Sequence, residues 1–533
     1  MSAAPAIRRR RAALGLAILV AVVLIVVLAA TSGGGSSAGQ APANGAAAVV
    51  PADALLYVHL STDASRPATR RALALVEKFP GFPLLAARLG SALTGSGAIS
   101  LATGIRPWLG QEAALALLDN GTSAAAPLIV LGVADHARAE AFLARIGARP
   151  AGSYDGASLY ARRGAMFAFA SHYLVLGAPA SVRAALDAAT GHAASLGGDG
   201  TYKSAVANEP ADRVLDVYAS AVGVRRLLVD QGGLTGALGV LLYSPALNGV
   251  TMSLSADPPG ARVQIQRVLD PHLAAITGPP AQEITPTLES ELPAGSTLAL
   301  DVPDLERIAP KVLSAGATGG VGGAIGPLLS RLGAALRAQG VDVAALESLF
   351  SGESAVAISP TAGHPSALVI VSRVSNMEQA RTELASVEVP LSQLLASAAS
   401  SSGVVPSFIA RSVGGVTAHQ LILASGLELD YAVFRGLVVI STSLSGIAAV
   451  ASHTHTLADY PAYKATLAGS PSKVTSLLFL NFSQLLSLSE QTGLITGARY
   501  GALRADLQKI GAIGLSSTSG ETDSTAELSL QIP

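Results

Sequence analysis

Cysteine is absent from all 533 residues. That excludes disulfides, thiolate nucleophiles, Cys-ligated zinc, iron–sulfur clusters and an anchor built on a lipid-modified cysteine. Aromatic residues make up 4% of the chain and charged residues 13%, against 50% hydrophobic. The cores must therefore be built from Val, Leu, Ile and Ala. Disorder throughout is excluded, because it requires low hydrophobicity and high charge. No Gly-Lys pair occurs, so there is no phosphate-binding P-loop. An excess of basic residues is missing too. Beyond Arg8–Arg11 the chain has 31 basic and 36 acidic residues, a net charge of −5, which leaves no basic stripe for nucleic acid.

What is present begins with those four arginines. They precede Ala12 to Ala30, nineteen residues without a charged or strongly polar side chain. At about 1.5 Å per residue the run spans about 28 Å as a helix, close to the hydrocarbon core of a bilayer. The arginine cluster predicts a cytoplasmic N-terminus and an extracytoplasmic remainder. Leu28-Ala29-Ala30 also fits a small-residue cleavage site, but the run exceeds the usual apolar core of a signal peptide, about 7–15 residues. Residues 31–48, rich in Gly, Ser, Ala and Pro, read as a flexible linker.

From residue 49 onward the same plan occurs twice. Pro51-Ala52-Asp53 with LLYVHL (55–60) matches Pro293-Ala294-Gly295 with STLALD (296–301). Gln111-Glu112-Ala113 matches Gly352-Glu353-Ser354, and PLIVLGV (127–133) matches SALVIVS (366–372). Each of the latter leads to a helix, one beginning at Asp135 and one at Ser375, where Ser375 and Glu378 have capping-box spacing. AMFAFASHYLVLG (165–177) aligns without a gap to LDYAVFRGLVVIS (429–441), two hairpins with tips at Ser171-His172 and Arg435-Gly436. Ala-rich helices follow at 179–189 and 443–452, then Tyr202-Lys203 and Tyr463-Lys464. RVLDVYAS (213–220) matches KVTSLLFLNFS (473–483), and residues 248–269 match 511–532 as terminal hairpins.

The expected fold is α+β. A basic tail (1–11), a transmembrane anchor (12–30) and a linker (31–48) precede two tandem homologous modules, 49–283 and 284–533. Each module is an antiparallel sheet with helices on one face. Three apolar, glycine-rich inserts interrupt the plan, at 84–105, 223–249 and 312–340.

Chemistry-bearing motifs are weak. The glycines of GGVGGAIG (319–326) follow no strand, which removes the dinucleotide reading. Gly35-Ser36-Ser37-Ala38-Gly39 has nucleophile-elbow spacing but sits in the linker, where no strand–turn–helix strains the serine. His453 and His455 supply two metal-type ligands near Asp459, but the matching segment of the first module has only His192, and they read as a solvated loop. Glu112 and Glu353 sit at equivalent strand entrances. They would be an acid–base pair if they faced each other, and otherwise accept backbone N–H groups or a neighbouring Arg. The tyrosines of the Tyr-Lys pairs read as packed beneath short helices with the lysines solvated. Trp108 reads as a core or rim residue. His59, His136, His172, His364 and His419 share no spacing.

The apolar N-terminal run, the low-complexity linker, the start VVPADALLYVHL (49–60) and the repeated TYKSAV (201–206) and AYKATL (462–467) together resemble the bacterial domain-of-unknown-function family numbered thirty-three fifty-two. The resemblance covers nearly the whole region after the linker. It implies a membrane-anchored extracytoplasmic protein and brings no activity or functional residues. No catalytic, cofactor or metal residue is assigned. The expected partners are the membrane, through Ala12 to Ala30, and a lipid or another envelope component. The leading expectation is a non-enzymatic binding or envelope-associated protein. The alternatives are a carrier or sensor of an apolar ligand, carried by the three inserts, and a hydrolase centred on Glu112 or His455.

Overall fold

The structure, a computed structural model, describes residues 41–83, 104–121, 125–229, 239, 242–277, 281–305, 332–361, 364–396, 406–424, 427–493 and 497–533. The apolar run Ala12 to Ala30, most of the inserts at 84–105 and 312–340, part of the insert at 223–249, and the serine and glycine motifs at 35–39 and 319–326 lie outside the described residues. Among the described residues no helix is long and apolar enough to cross a membrane.

Helix and strand are mixed around one large antiparallel sheet. The first ten strands are β1 (Ala54–Ser61), β2 (Leu109–Leu118), β3 (Ala126–Val133), β4 (Arg149–Tyr154), β5 (Ala157–Arg162), β6 (Ala165–Ala170), β7 (Tyr173–Gly177), β8 (Leu215–Ser220), β9 (Leu247–Asp257) and β10 (Gly260–Leu269). The second ten are β11 (Leu298–Val302), β12 (Ser354–Thr361), β13 (His364–Arg373), β14 (Ile409–Val413), β15 (Val416–Ala424), β16 (Leu427–Phe434), β17 (Leu437–Ser441), β18 (Ser476–Leu480), β19 (Ala512–Ser519) and β20 (Asp523–Gln531). Pairing in the first half runs β4-β5-β6-β7-β3-β2-β1-β8-β9-β10. The second half repeats it strand for strand, β14-β15-β16-β17-β13-β12-β11-β18-β19-β20. Nine register pairs between β10 and β20, from Gly260↔Gln531 to Val268↔Asp523, join the halves into one sheet. The strand order is therefore a palindrome about that central pair.

The two aligned hairpins keep a common register. Met166 faces Gly177 as Asp430 faces Ser441, and Ala170 faces Tyr173 as Phe434 faces Leu437. At the tips Ser171 and Arg435 take positive φ, 52° and 50°, the left-handed conformation a two-residue turn requires.

The main helices are α1 (Pro67–Val76), α2 (His136–Ile146), α3 (Pro179–Thr190), α4 (Gly200–Val206), α5 (Met377–Ala396), α6 (Leu444–Ser452) and α7 (Pro461–Leu467). They cover both faces of the sheet, not one as expected. On one face of the first half Leu56, Val58 and Leu60 pack with Phe142 and Leu143 of α2. On the other, Tyr57 packs with Val182 and Leu186 of α3 and Tyr202 of α4. The second half divides likewise, with α6 and Tyr463 of α7 on one face and Ala380 and Leu384 of α5 on the other. The reason lies in the strands. All eight residues of β1 are buried, and a run apolar on both sets of alternating positions needs two covers.

Three further expectations change. Residues 44–48 belong to the fold and not to the linker. Gly45–Val49 form a 3-10 turn with Ala46 and Ala47 buried, since small side chains let that backbone lie flat against the sheet. Helix α5 is capped by Asn376, whose Oδ1 accepts the N–H groups of Glu378 and Gln379 at 3.1 Å, rather than by a Ser375–Glu378 box. Asn is as good an N-cap as Ser and stands one residue nearer the helix. Finally, β1 and β11 match without the one-residue offset used above. His59 faces Ala114 and Asp301 faces Ala355, two residues beyond Glu112 and Glu353 respectively. Aligning apolar with apolar residues had set these two buried polar side chains one step apart.

Candidate functional site

Each half buries one charged cluster where its first two strands meet the chain segment that enters the sheet. In the first half His59 of β1 is fully buried. Its Nδ1 lies 2.9 Å from Asp216 Oδ1 of β8, directly across the strand pair. Its Nε2 lies 3.3 Å from Glu112 Oε2, an ion-pair separation. Arg213 Nε donates to the same Asp216 oxygen at 3.1 Å and stands 3.0 Å from Glu209 Oε2. Glu112 accepts the Ala46 N–H at 3.1 Å and the Tyr173 hydroxyl at 2.6 Å. Beside it Tyr57 donates to Asn44 Oδ1, and Asn44 Nδ2 donates to the Tyr202 hydroxyl.

The electrostatics follow from this geometry. Burial opposes charge on His59, but Asp216 and Glu112 outweigh it and push the imidazole up to about 9. Burial raises Asp216 and Glu112, yet His59 holds both below the ordinary carboxylate range, with help from Arg213 for Asp216 and from Tyr173 and Ala46 for Glu112. Glu209 is different. Burial, then the Asp216 charge, push it up to about 8. At neutral pH Asp216 and Glu112 therefore balance His59 and Arg213, and the cluster is neutral as a whole.

In the second half the matching place is acidic. Glu353 accepts the Leu288 N–H at 2.9 Å, as Glu112 accepts that of Ala46. It also accepts the Thr287 N–H and hydroxyl, and Arg373 Nε lies 3.2 Å from its Oε2. Asp301 stands where the first half has His59. Oxygen atoms of Glu289, Asp301 and Glu353 lie within 4.8 Å of one another. Asp301 is 5% exposed, and neither of its carboxylate oxygens makes a well-formed hydrogen bond, although the Val302 N–H and the Glu353 carboxyl both act on it. Burial, then Glu353 and Glu289, push Asp301 up to about 8. Glu289 is raised by burial and by Glu353. Glu289 also lines a groove of about 350 Å³ with Tyr463, Lys464 and Leu467.

Glu112 and Glu353 do not face each other. Nine strand steps separate β2 from β12, roughly 43 Å at about 4.8 Å per step. Each instead accepts backbone N–H groups and meets a cation. Among the described residues His453 and His455 form no metal-ligand group with Asp459, although, after Lys464, the His455 charge helps to lower the Asp459 carboxyl. His453 is the left-handed cap of α6, with φ 50°, where α3 ends at Gly191. Its Nδ1 lies 3.3 Å from Glu291, while Asp459 pairs with Lys464 at 3.2 Å. Tyr202 and Tyr463 are buried beneath α4 and α7 and their lysines are exposed, as read from the sequence. Trp108 is a core residue, 1% exposed, whose Nε1–H donates to Gly104 O at 2.7 Å.

The sequence reading missed His59 and Asp301 as site residues. The available signal was a polar residue inside an otherwise apolar strand, at the same distance from Pro51 and from Pro293.

Comparison with curated proteins gave no match. Three solved structures share partial likeness. Crystal form I of TP0453 has a TM-score of 0.26 at 9% identity, over 43% of this chain and 79% of that one. Crystal form IV gives 0.25 at 11% identity, over 43% and 83%, and crystal form III gives 0.25 at 10%, over 45% and 88%. A family model matches residues 12–532, from the start of the apolar run almost to the C-terminus, and the chain belongs to that family, described as Protein of unknown function (DUF3352).

Proposed function

We propose that the chain is a single-pass membrane protein whose bulk lies outside the cytoplasm, where it binds an envelope partner without catalysing a reaction. The observation that carries this reading is the use made of the charged residues. Glu112 is spent on Ala46, Tyr173 and His59 beneath the chain entrance, and Glu353 on Thr287, Leu288 and Arg373. A hydrolase centred on Glu112 needs that carboxylate open to substrate, and it is 7% exposed. Arg8–Arg11 before nineteen apolar residues support the membrane placement.

The modular part of the proposal is a duplication, with modules at 49–283 and 284–533. It is supported by ten strands repeating ten strands and by the common hairpin register. It is supported further by the equal placement of Tyr202 and Tyr463 under their helices.

The test is made on the full chain in its producing cells. Carbonate extraction should leave it in the membrane fraction, added protease should reach it from outside, and its intact mass should retain residues 12–30. A cytoplasmic location would overturn the placement. Turnover of ester, peptide or glycoside substrates that is lost in Glu112→Gln, a folded variant by circular dichroism, would overturn the non-enzymatic reading.

A further inference from the structure

We propose that Glu289 and Asp301, beside the anchored Glu353, bind a hard divalent cation, calcium being the natural fit, which plays the part that His59 plays in the first half.

The two halves treat one position in opposite ways. At this point of the first half the protein carries its own cation between two carboxylates, His59 between Asp216 and Glu112. At the same register position the second half puts a third carboxylate, Asp301, and supplies no imidazole. The remaining support is conserved in geometry: a 3-10 turn, Gly45–Val49 or Leu288–Ser290, delivers a backbone N–H to the glutamate in each case. A buried carboxylate without a donor is costly, and buried charges are ordinarily paired or bound to metal. Both oxygens of Asp301 and Oε2 of Glu289 are buried without a hydrogen-bond partner. Arg373 does not relieve them, since its Nε is directed at Glu353 and Thr287.

Charge and donor type select the ligand. Around a bound ion, with all three carboxylates ionised, they and Arg373 sum to −2, which one divalent ion cancels. All the donors are oxygen, which favours calcium, magnesium or manganese over zinc or copper. Calcium tolerates irregular geometry and mixed carboxylate and water ligation, whereas magnesium demands near-ideal octahedra. Glu353 is already fixed by its four donors, so Asp301 and Glu289 supply the free oxygens. The groove beside Glu289, lined also by Tyr463 and Pro286, gives the ion an entry path and room for its remaining waters.

The experiment is calorimetric titration of the chelator-treated full chain, in detergent, with calcium chloride and separately with magnesium chloride. One calcium per chain is expected, bound at least tenfold more tightly than magnesium. Asp301→Asn, which keeps the shape and removes the charge, should weaken calcium at least tenfold. Glu289→Gln, at the groove margin, should weaken it as well, and it serves if the Asn variant misfolds. Asp459→Asn, which removes an exposed carboxylate paired with Lys464, should leave binding unchanged. Absence of binding at millimolar calcium would overturn the proposal, because Asp301 and Glu353 would then be sharing a proton in place of the ion. Affinity within twofold of the parent chain in both folded variants would also overturn it.

Discussion

His59 and Asp216 are direct cross-strand neighbours in the middle of the first half, joined at 2.9 Å and shut off from solvent on every side. The imidazole is pushed up to about 9 from an ordinary value near 6.5. A group raised on folding stabilises fully below its unfolded pKa and loses that contribution as pH climbs through the folded one. His59 therefore contributes stability that is complete below about pH 6.5 and gone above about pH 9, roughly 3 kcal/mol in all. Glu209, pushed up to about 8 by burial and by Asp216, acts in the same direction over a lower window. The urea midpoint should fall between pH 6 and pH 9.5. A flat profile would show that His59 is neutral in the folded chain.

Replacing His59 by Gln separates the imidazole from the other groups. The variant leaves Asp216 and Glu112 buried with one cation fewer and should lose about 3–5 kcal/mol at pH 6, the usual cost of breaking a buried pair from one side. Its stability should also vary less than that of the parent between pH 6.5 and 9. If the two profiles stay parallel, the alkaline loss belongs to other groups.

Glu112→Ala should release the entering chain. The substitution removes the acceptor of the Ala46 N–H and of the Tyr173 hydroxyl together. Hydrogen exchange at residues 44–50 should accelerate by at least tenfold, while exchange in β16 and β17 stays as it was. Unchanged protection at Ala46 would mean that Asn44 and its two tyrosines suffice to hold the segment.

Much of this fold was legible in the sequence. The hairpins at 165–177 and 429–441 were, because alternation around a two-residue turn fixes register. Helix α2 was, because Asp135 marks its start. The second covering layer was not. LLYVHL reads as apolar without saying how many faces are covered, and the covers on the entry side include Ala46 and Ala47, which composition assigned to a linker. The charged clusters were hidden for a related reason. A single His in a buried strand carries no motif, and Asp216 reaches it only through a pairing that closes over 157 positions of sequence.

Gly260 opens β10 against the carboxyl end of β20. A Cβ there would stand 1.6 Å from the Leu530 carbonyl oxygen, which no side-chain rotation relieves. Gly260→Ala should cost about 1–3 kcal/mol as the strands move apart. Calorimetry should show a lower midpoint than in the parent. A single transition with an unshifted midpoint would show that the strand ends give way freely.

Trp108 is the one tryptophan in 533 residues, buried against Phe142 with ring centroids 5.4 Å apart. Its emission should be blue-shifted and insensitive to iodide, and should report unfolding of the first half alone. In Asp301→Asn the tryptophan transition should stay within 1 °C of the parent even where the calorimetric profile of the second half moves, as expected of roughly additive, well-separated sites. A matching shift of both would show that the halves unfold as one cooperative unit.

The β10–β20 pair at the centre of the sheet has a consequence for the order of events at synthesis. The strand that completes the middle is the last of the described strands to be made. At about 5–20 residues per second, the stretch between the end of β10 and the end of β20 takes roughly 13–50 s to emerge. Throughout that interval β10 presents an unfilled row of amide and carbonyl groups, the template on which another nascent chain would dock. A cell making this protein must keep neighbouring copies apart until residue 531 arrives.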